Sequence, residues 1–294
     1  MHTPSKLRSK LSRNAALSTI LVLAMSNAAA ADKTTHVYKK VGALEIKADV
    51  YTPPKTNGNP SGPRPVVVWI HGGALINGHR EGVFKPMHDA LLERGCVVVS
   101  IDYRLAPETK LPEIVTDVED ALGWVRTQGP KLFSADPERV AVFGGSAGGF
   151  LTLVAGTFAS PPPRALVSLW GYGEVLTEWG TSPSPHARHH QLTMSDEQMV
   201  QLAKGPPVSD SRDRRSDGGA FYQSARRTGT WPKWVSGFDP VTQSERIQEF
   251  LPLHHVNAEF PPTLFIHGTA DTDVPFKQSQ LMVAELINMA SNMN

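Results

Sequence analysis

Residues Val140-Ala141-Val142-Phe143-Gly144-Gly145-Ser146-Ala147-Gly148-Gly149 decide how this chain is read. A short apolar run of the strand type ends at Phe143. Small residues then surround one serine, and a helical stripe runs on to Phe158. G-x-S-x-G at such a strand-to-helix junction holds the serine on a sharp turn with its hydroxyl above the sheet. Glycines flank it because neighbouring backbone crowds the turn. A phosphate-binding loop is excluded, since no lysine follows the serine and the G-x-G-x-x-G spacing is absent. Ser146 is the candidate nucleophile.

Upstream, Val66 to Ile70 is a continuous apolar run, as expected of a strand buried on both faces. His71-Gly72-Gly73-Ala74 follows it directly. Acyl transfer builds negative charge on the former carbonyl oxygen, and backbone N–H groups aimed at that oxygen stabilise the transition state. Glycines let the main chain come close enough. Gly72, Gly73 and, from the serine turn, Ala147 are the candidate oxyanion donors. His71 precedes this loop and reads as a structural histidine bonding backbone. Downstream, Phe265 to Pro275 reads FIHGTADTDVP. A carboxylate in the loop after a late strand can orient a histidine and stabilise its imidazolium. Asp271 is the candidate acid and Asp273 the alternative; an ordinary loop aspartate capping the next helix is the plainer reading.

The remaining elements alternate. Leu44 to Tyr51 reads as a half-buried strand, Phe84 to Arg94 as a helix with Met87, Leu91 and Leu92 inward, and Cys96 to Tyr103 as a buried strand. Ile114 to Thr127 carries a helical apolar stripe, Ala165 to Trp170 is strand-like, Thr263 to His267 reads as a buried strand, and Lys277 to Met289 as a helix. Strand and helix in alternation predict an α/β fold, a mostly parallel sheet flanked by helices. From Gly171 to Leu251 the pattern breaks into a stretch rich in Pro, Ser, Arg, His and Trp. It is too long for a bare loop and is expected to be a lid insertion, 171–251, built of short helices.

Composition fits one large domain. A chain of 294 residues, 40% hydrophobic, buries a core without disulfides or metal. The single cysteine excludes a disulfide framework and multi-cysteine zinc sites, and Cys96 reads as a small buried hydrophobe at a strand start. A net charge of +1 argues against a basic nucleic-acid-binding face. The first 31 residues carry Lys6, Arg8, Lys10 and Arg13, no acidic residue, an apolar run from Ala15 to Met25 and small residues from Asn27 to Ala31. That order predicts a signal peptide, residues 1–31, and a secreted or periplasmic protein. The run is too short for a stable membrane anchor. Removing four positive charges leaves residues 32–294 at −3.

Together, HGGA, Ile101-Asp102-Tyr103-Arg104-Leu105-Ala106-Pro107-Glu108, the G-G-S-A-G-G turn and HGTADTDVP resemble α/β-hydrolases of the hormone-sensitive-lipase and bacterial acetyl/feruloyl esterase type. The resemblance runs from about Val66 to the C-terminus, with the four motifs in family order. It implies Ser146 as nucleophile, Asp271 as acid, Gly72, Gly73 and Ala147 as the oxyanion hole, and the Asp102–Glu108 run as a structural brace. It also places a catalytic histidine in a loop after one more strand. Only 23 residues follow Asp271 and none is histidine. His267 fits a strand-end role, His254 and His255 precede the acid, and His186, His189 and His190 lie in the lid and read as solvated. The catalytic His is thus expected to be missing and the chain to be C-terminally truncated. Its last strand would be lost, one sheet edge uncovered, and its turnover low.

The expected activity is that of a serine carboxylic-ester hydrolase acting, through an acyl-enzyme, on short-chain acyl or carbohydrate esters outside the cytoplasm. Trp170, Tyr172, Trp179, Phe221, Tyr222, Trp231 and Trp234 are expected to divide between a substrate pocket and the lid's own core. HGTADTDVP also resembles prolyl oligopeptidase-like peptidases, and a non-catalytic hydrolase-fold binding protein is the third reading. The partner is an ester substrate, small-molecule or carbohydrate. No cofactor or metal is implied.

Overall fold

The computed structural model describes residues 31–53 and 62–291. Apart from Ala31, the expected signal segment lies outside them. No helix among the described residues is long and apolar enough to cross a membrane.

Seven strands form one sheet in the order β1-β2-β4-β3-β5-β6-β7. They are β1 (Asp32–Val41), β2 (Leu44–Thr52), β3 (Arg64–Ile70), β4 (Val97–Ile101), β5 (Ala135–Gly145), β6 (Leu166–Leu169) and β7 (Thr263–Ile266). The β1–β2 and β2–β4 pairs are antiparallel; β4, β3, β5, β6 and β7 run parallel. The expected mostly parallel sheet is present, with one hairpin added at its first edge.

Helices α1 (Lys85–Glu93), α2 (Leu111–Thr127), α3 (Gly129–Phe133) and α4 (Ala147–Phe158) connect the early strands. On one face Val66, Val68 and Ile70 of β3 pack with the α2 stripe, Ile114, Val118, Ala121, Leu122 and Val125, and with α4. On the other, Val67, Trp69, Val98 and Phe143 are covered by Met87, Leu91 and Leu92 of α1. Cys96 sits just before β4 and is half-buried, not buried: its N–H bonds Leu91 O at the end of α1, where the helix only partly covers it. Helix α4 is buried from Ala147 to Gly156. A β-carbon on Gly148 would stand 2.0 Å from Ile70 O, and one on Gly149 2.7 Å from Gly171 Cα. Small residues there let α4 lie directly on the sheet.

The 171–251 stretch folds as short helices, α5 (Glu178–Thr181), α6 (Asp196–Ala203), α7 (Gly218–Arg227), α8 (Trp231–Ser236) and α9 (Ser244–Gln248), with 3-10 turns between. Helix α10 (Lys277–Ser291) closes the described chain. Strand β7 is not the buried strand expected: among the described residues it bonds only to β6, and Leu264 and Ile266 are 55% and 47% exposed. Phe265 alone turns inward, against Met282 and Leu286 of α10.

Register decides where chemistry can sit. Ile70 pairs with Gly144, Gly145 with Leu169, and Leu169 with Ile266. The loops leaving β3, β5, β6 and β7 therefore emerge side by side, at the carboxyl ends where parallel sheets carry their sites.

Candidate active site

Ser146 opens α4 with φ +57° and ψ −119°. A non-glycine residue in that region is strained, and the surroundings must hold it there. They do so through the Ser146 N–H, which donates to Leu169 O at 2.9 Å, and through Gly144, where a β-carbon would meet Gly148 O at 2.3 Å. The turn sets the hydroxyl on the wall of a cavity of about 410 Å³ that Gly73, Asn77, Arg188, Tyr222, Asp271 and Asp273 also line. Among the described residues, none hydrogen-bonds the Ser146 hydroxyl. A larger cavity, about 620 Å³, opens beside α6 and contains none of the sequence-predicted site residues.

The HGGA loop packs against this turn. A β-carbon on Gly72 would come within 2.8 Å of Gly145 O and 3.3 Å of Ser146 Cβ. Gly73 has φ +112°, and Ala74 and Leu75 follow at +59° and +64°. Three successive left-handed residues curl the main chain, and the N–H groups of Ile76 and Asn77 close the turn on Gly73 O at 2.9 and 2.8 Å. The N–H groups of Gly72, Gly73 and Ala147 have no acceptor among the described residues. Ala147 is the buried first residue of α4, so its N–H is one of the orphan donors of a helix start.

His71 stays behind the loop. It is buried, its Nδ1 lies 2.8 Å from Gly72 O, and it stacks on Tyr103 at 4.3 Å. Burial pushes its pKa down to about 4, so the ring is neutral. Tyr103 donates to His71 O at 3.0 Å. The rest of the Asp102–Glu108 run is equally committed. Asp102 takes the Arg80 N–H and guanidinium at 2.7 Å each, Arg104 pairs with Asp117, and Glu108 with Arg214. Burial raises the Asp102 carboxyl to about 6 although Arg80 pulls the other way.

Asp271 shares the cavity with Ser146. Its Oδ1 accepts the N–H groups of Asp273 and Val274 at 2.9 and 3.0 Å, the capping role of an ordinary loop aspartate. Its Oδ2 stays off that turn, 3.6 Å from His267 Nε2. Asp273 is spent differently. Arg188 Nη2 lies 2.5 Å from one carboxylate oxygen and His189 Nε2 3.3 Å from the other. Burial alone would raise this carboxyl; the His189 ring and the Arg188 charge outweigh it and hold it below its ordinary value. Asp273 thereby ties the lid to the acid loop.

The lid histidines are not uniformly solvated. His189 is fully buried, with Nδ1 2.7 Å from Ser184 Oγ and its ring edge-on to Tyr222, because the Asp273 contact draws it under the lid. His186 is half-buried and His190 exposed, and they bond Thr272 Oγ1 and Ser184 O. His254 pairs with Glu174 at 2.7 Å, and His267 is held between Ser279 Oγ and Val274 O. None of these rings lines the Ser146 cavity.

Of the seven aromatic candidates, Trp170 and Tyr222 reach the cavity. Tyr172, Trp179 and Trp231 pack on one another, and the Arg226 guanidinium lies 4.9 Å from the Trp179 ring and 5.5 Å from the Trp231 ring. Asn77 and Arg188 were not foreseen. Asn77 lies just past the HGGA motif, and Arg188 sits between histidines that drew the attention. Among the described residues no group of three or more His, Cys, Asp or Glu is placed to hold a metal ion.

Comparison with known proteins bears on the fold and family of the chain. The family model BD-FAE, a feruloyl esterase-type α/β-hydrolase domain, matches residues 48–162 and 220–286. A non-reducing polyketide synthase of Penicillium rubens is 30% identical over 303 residues, covering 87% of this chain but 12% of that protein. The chain thus spans about an eighth of the length of that curated relative. Among solved structures, a Staphylococcus aureus protein of unknown function superposes with TM-score 0.64 at 22% identity, covering 86% of this chain and 85% of its own. A thermophilic esterase from Thermogutta terrifontis, solved with propionate bound, gives TM-score 0.55 at 25% identity, covering 88% and 79%.

Proposed function

We propose that this chain, which belongs to the BD-FAE family of esterase-like α/β-hydrolases, is a serine carboxylic-ester hydrolase that forms an acyl-enzyme on Ser146. The observation that carries the reading is the Ser146 backbone at φ +57°, which holds the hydroxyl on a cavity shared with Gly73 and Asp271.

The Ser146 oxygen attacks the ester carbonyl, its proton passing to a general base as the bond to the acyl carbon forms. Negative charge gathers on the carbonyl oxygen. The unspent N–H groups of Gly72, Gly73 and Ala147 are the donors for it, rigid before the reaction begins. The base hands that proton to the departing alcohol, leaving the acyl group on Ser146; water then attacks as the base takes its proton, and the acid product leaves as the proton returns to the Ser146 oxygen. Asp271 Oδ2 is the acceptor for the N–H of a general base as that base becomes cationic. A cavity of about 410 Å³ walled by Asn77, Arg188, Tyr222 and Trp170 suits a short acyl group or a hydroxylated alcohol better than a long lipid chain. The propionate bound by the Thermogutta esterase supports the short-acyl part of this reading. The basic, apolar and small-residue order of residues 1–31 supports action outside the cytoplasm.

An unassisted serine hydroxyl is a weak nucleophile, so steady turnover is a poor test. Intact-mass analysis after exposure to an activated aryl phosphonate is direct. One adduct is expected, on the Ser146 peptide, and absent from Ser146→Ala. Labelling at another residue, or none after prolonged exposure, sinks the assignment.

A further inference from the structure

We infer that a cavity of about 550 Å³ at the amino ends of β5, β6 and β7, the opposite end of the strands from Ser146, binds a small aromatic carboxylate through Arg126. Arg126 lies in the last turn of α2, half-buried in the cavity wall. Among the described residues its side chain makes no hydrogen bond and no ion pair, and its Nε is buried with no partner. A cation suits the carboxyl end of a helix. That leaves the buried N–H unsatisfied, and a buried donor without an acceptor is costly. Burial pushes the guanidinium pKa down, and the charge of Glu138 offsets only part of that.

The ligand class follows from what surrounds that guanidinium. Pro161-Pro162-Pro163, Pro261-Pro262 and the Phe260 ring wall the cavity. Proline has no N–H, and two of these carbonyls are already spent: Pro261 O accepts Thr263 Oγ1 at 2.8 Å, and Pro262 O the Leu166 N–H at 3.0 Å. Such walls offer flat apolar faces, which suit a ring. Polar recognition falls to the two guanidinium groups. Arg126 has its whole fork unspent, and Arg164 commits only Nε, to Glu138 O at 3.0 Å. A planar carboxylate meets such a fork with two parallel hydrogen bonds. Glu138 and Glu259 also line the cavity, both exposed. Their charge disfavours a dianion such as phosphate, so the site selects a single carboxylate on a ring.

The walls are fixed by the fold. A β-carbon on Gly156 of α4 would stand 3.2 Å from Phe260 Cζ and 3.2 Å from Pro261 Cδ, so that side of the cavity is packed on the helix. The Arg164 N–H donates to Val140 O at 2.8 Å and ties the approach to β6 onto β5. A preformed cavity of this size lies in the range of small-molecule sites. None of its lining residues lines the Ser146 cavity, so the two sites are separate.

The experiment titrates the isotopically labelled full chain with benzoate and follows the Arg126 Nε–H signal by magnetic resonance, the signal being identified by its loss in Arg126→Lys. A saturating shift is expected, with a midpoint of about a millimolar. Benzyl alcohol, which lacks the charge, and acetate, which lacks the ring, should leave the signal in place at the same concentrations. Ligand-observed saturation transfer should show benzoate binding weakened about tenfold or more by Arg126→Gln. Phe260→Leu and the exposed Arg164→Gln should each weaken it about threefold, with circular dichroism confirming the folds. A shift that stays linear in benzoate, an equal response to acetate, or saturation by inorganic phosphate and not by benzoate overturns the inference. So does benzoate binding that Arg126→Gln and Arg164→Gln leave unchanged. Arg126→Gln should be phosphonylated on Ser146 at the wild-type rate, so the titration and the esterase reading stand or fall separately.

Discussion

Arg214 of the lid grips Glu108 of the brace with both arms of its guanidinium: Nε to Oε1 and Nη2 to Oε2 are each 2.8 Å, and both side chains are 3% exposed. The same guanidinium donates to Ile76 O at 2.6 Å and Ala106 O at 2.9 Å. Removing one partner of a buried pair leaves the other charged and unsolvated. Arg214→Met should therefore destabilise the chain by about 3–5 kcal/mol in chemical denaturation. Arg214→Lys should recover only part of this, because an ammonium cannot reproduce the fork. A loss below about 1 kcal/mol would mean that the pair contributes little.

Gly72 presents a second test. A methyl group there meets Gly145 O and Ser146 Cβ, so Gly72→Ala must push the oxyanion loop off the serine turn. The rate of Ser146 phosphonylation should fall about a hundredfold. The unfolding free energy should drop by only about 1–3 kcal/mol, the cost of local overpacking. Wild-type labelling kinetics in Gly72→Ala would separate this loop from the chemistry.

His71 predicts a pH effect with a definite sign. Buried, it resists protonation until about pH 4, whereas in the unfolded chain it takes a proton near pH 6.5. Between those values the unfolded state binds more protons, so stability rises with pH and is lost on acidification from 6.5 towards 4. A shift of this size is worth about 3 kcal/mol. Asp102 acts oppositely between 3.8 and about 6, where the folded state keeps its proton longer. Comparison with His71→Gln cancels that contribution. Urea titrations at a series of pH values should show the wild type losing about 3 kcal/mol more than His71→Gln over this window; parallel curves would refute it.

The outer edge of the sheet predicts a solubility effect. Leu264 and Ile266 expose an apolar strip along a strand whose backbone is unpaired on one side among the described residues. Leu264→Lys should change stability by about 0.5 kcal/mol or less while raising the concentration at which light scattering detects association. No change in association would show that the strip does not drive it.

The serine turn and the HGGA loop were legible because each is dictated within ten residues. A strained strand-to-helix turn needs its glycines adjacent in sequence, whatever the rest of the fold does. Hairpin strand β1 escaped notice because Asp32 to Val41 is mostly polar and exposed, so no apolar alternation marks it. Strand β7 was legible as a strand but its exposure was not, since Thr263 to Ile266 is as apolar as an interior strand. Its neighbours, not its own residues, set its exposure. His189 and Arg188 gained their roles from Asp273, 84 and 85 residues away, and local reading cannot supply such a partner. The Arg214–Glu108 pair was hidden for the same reason.

The lid's anchors bear on how substrate reaches the serine. Arg214 and Trp231 hold the carbonyls of Ile76 and Ala74, Ser211 holds Gly78, and Trp179 and Arg188 hold Asp273. Every one of these contacts ends on the loop that carries the oxyanion donors or on the loop that carries the acid. A hinged opening would take the reaction centre apart with it. We therefore expect the covering segment to act as a sieve of fixed aperture and not as a door. Turnover should then be indifferent to solvent viscosity, and discrimination among esters should fall off sharply with the girth of the molecule.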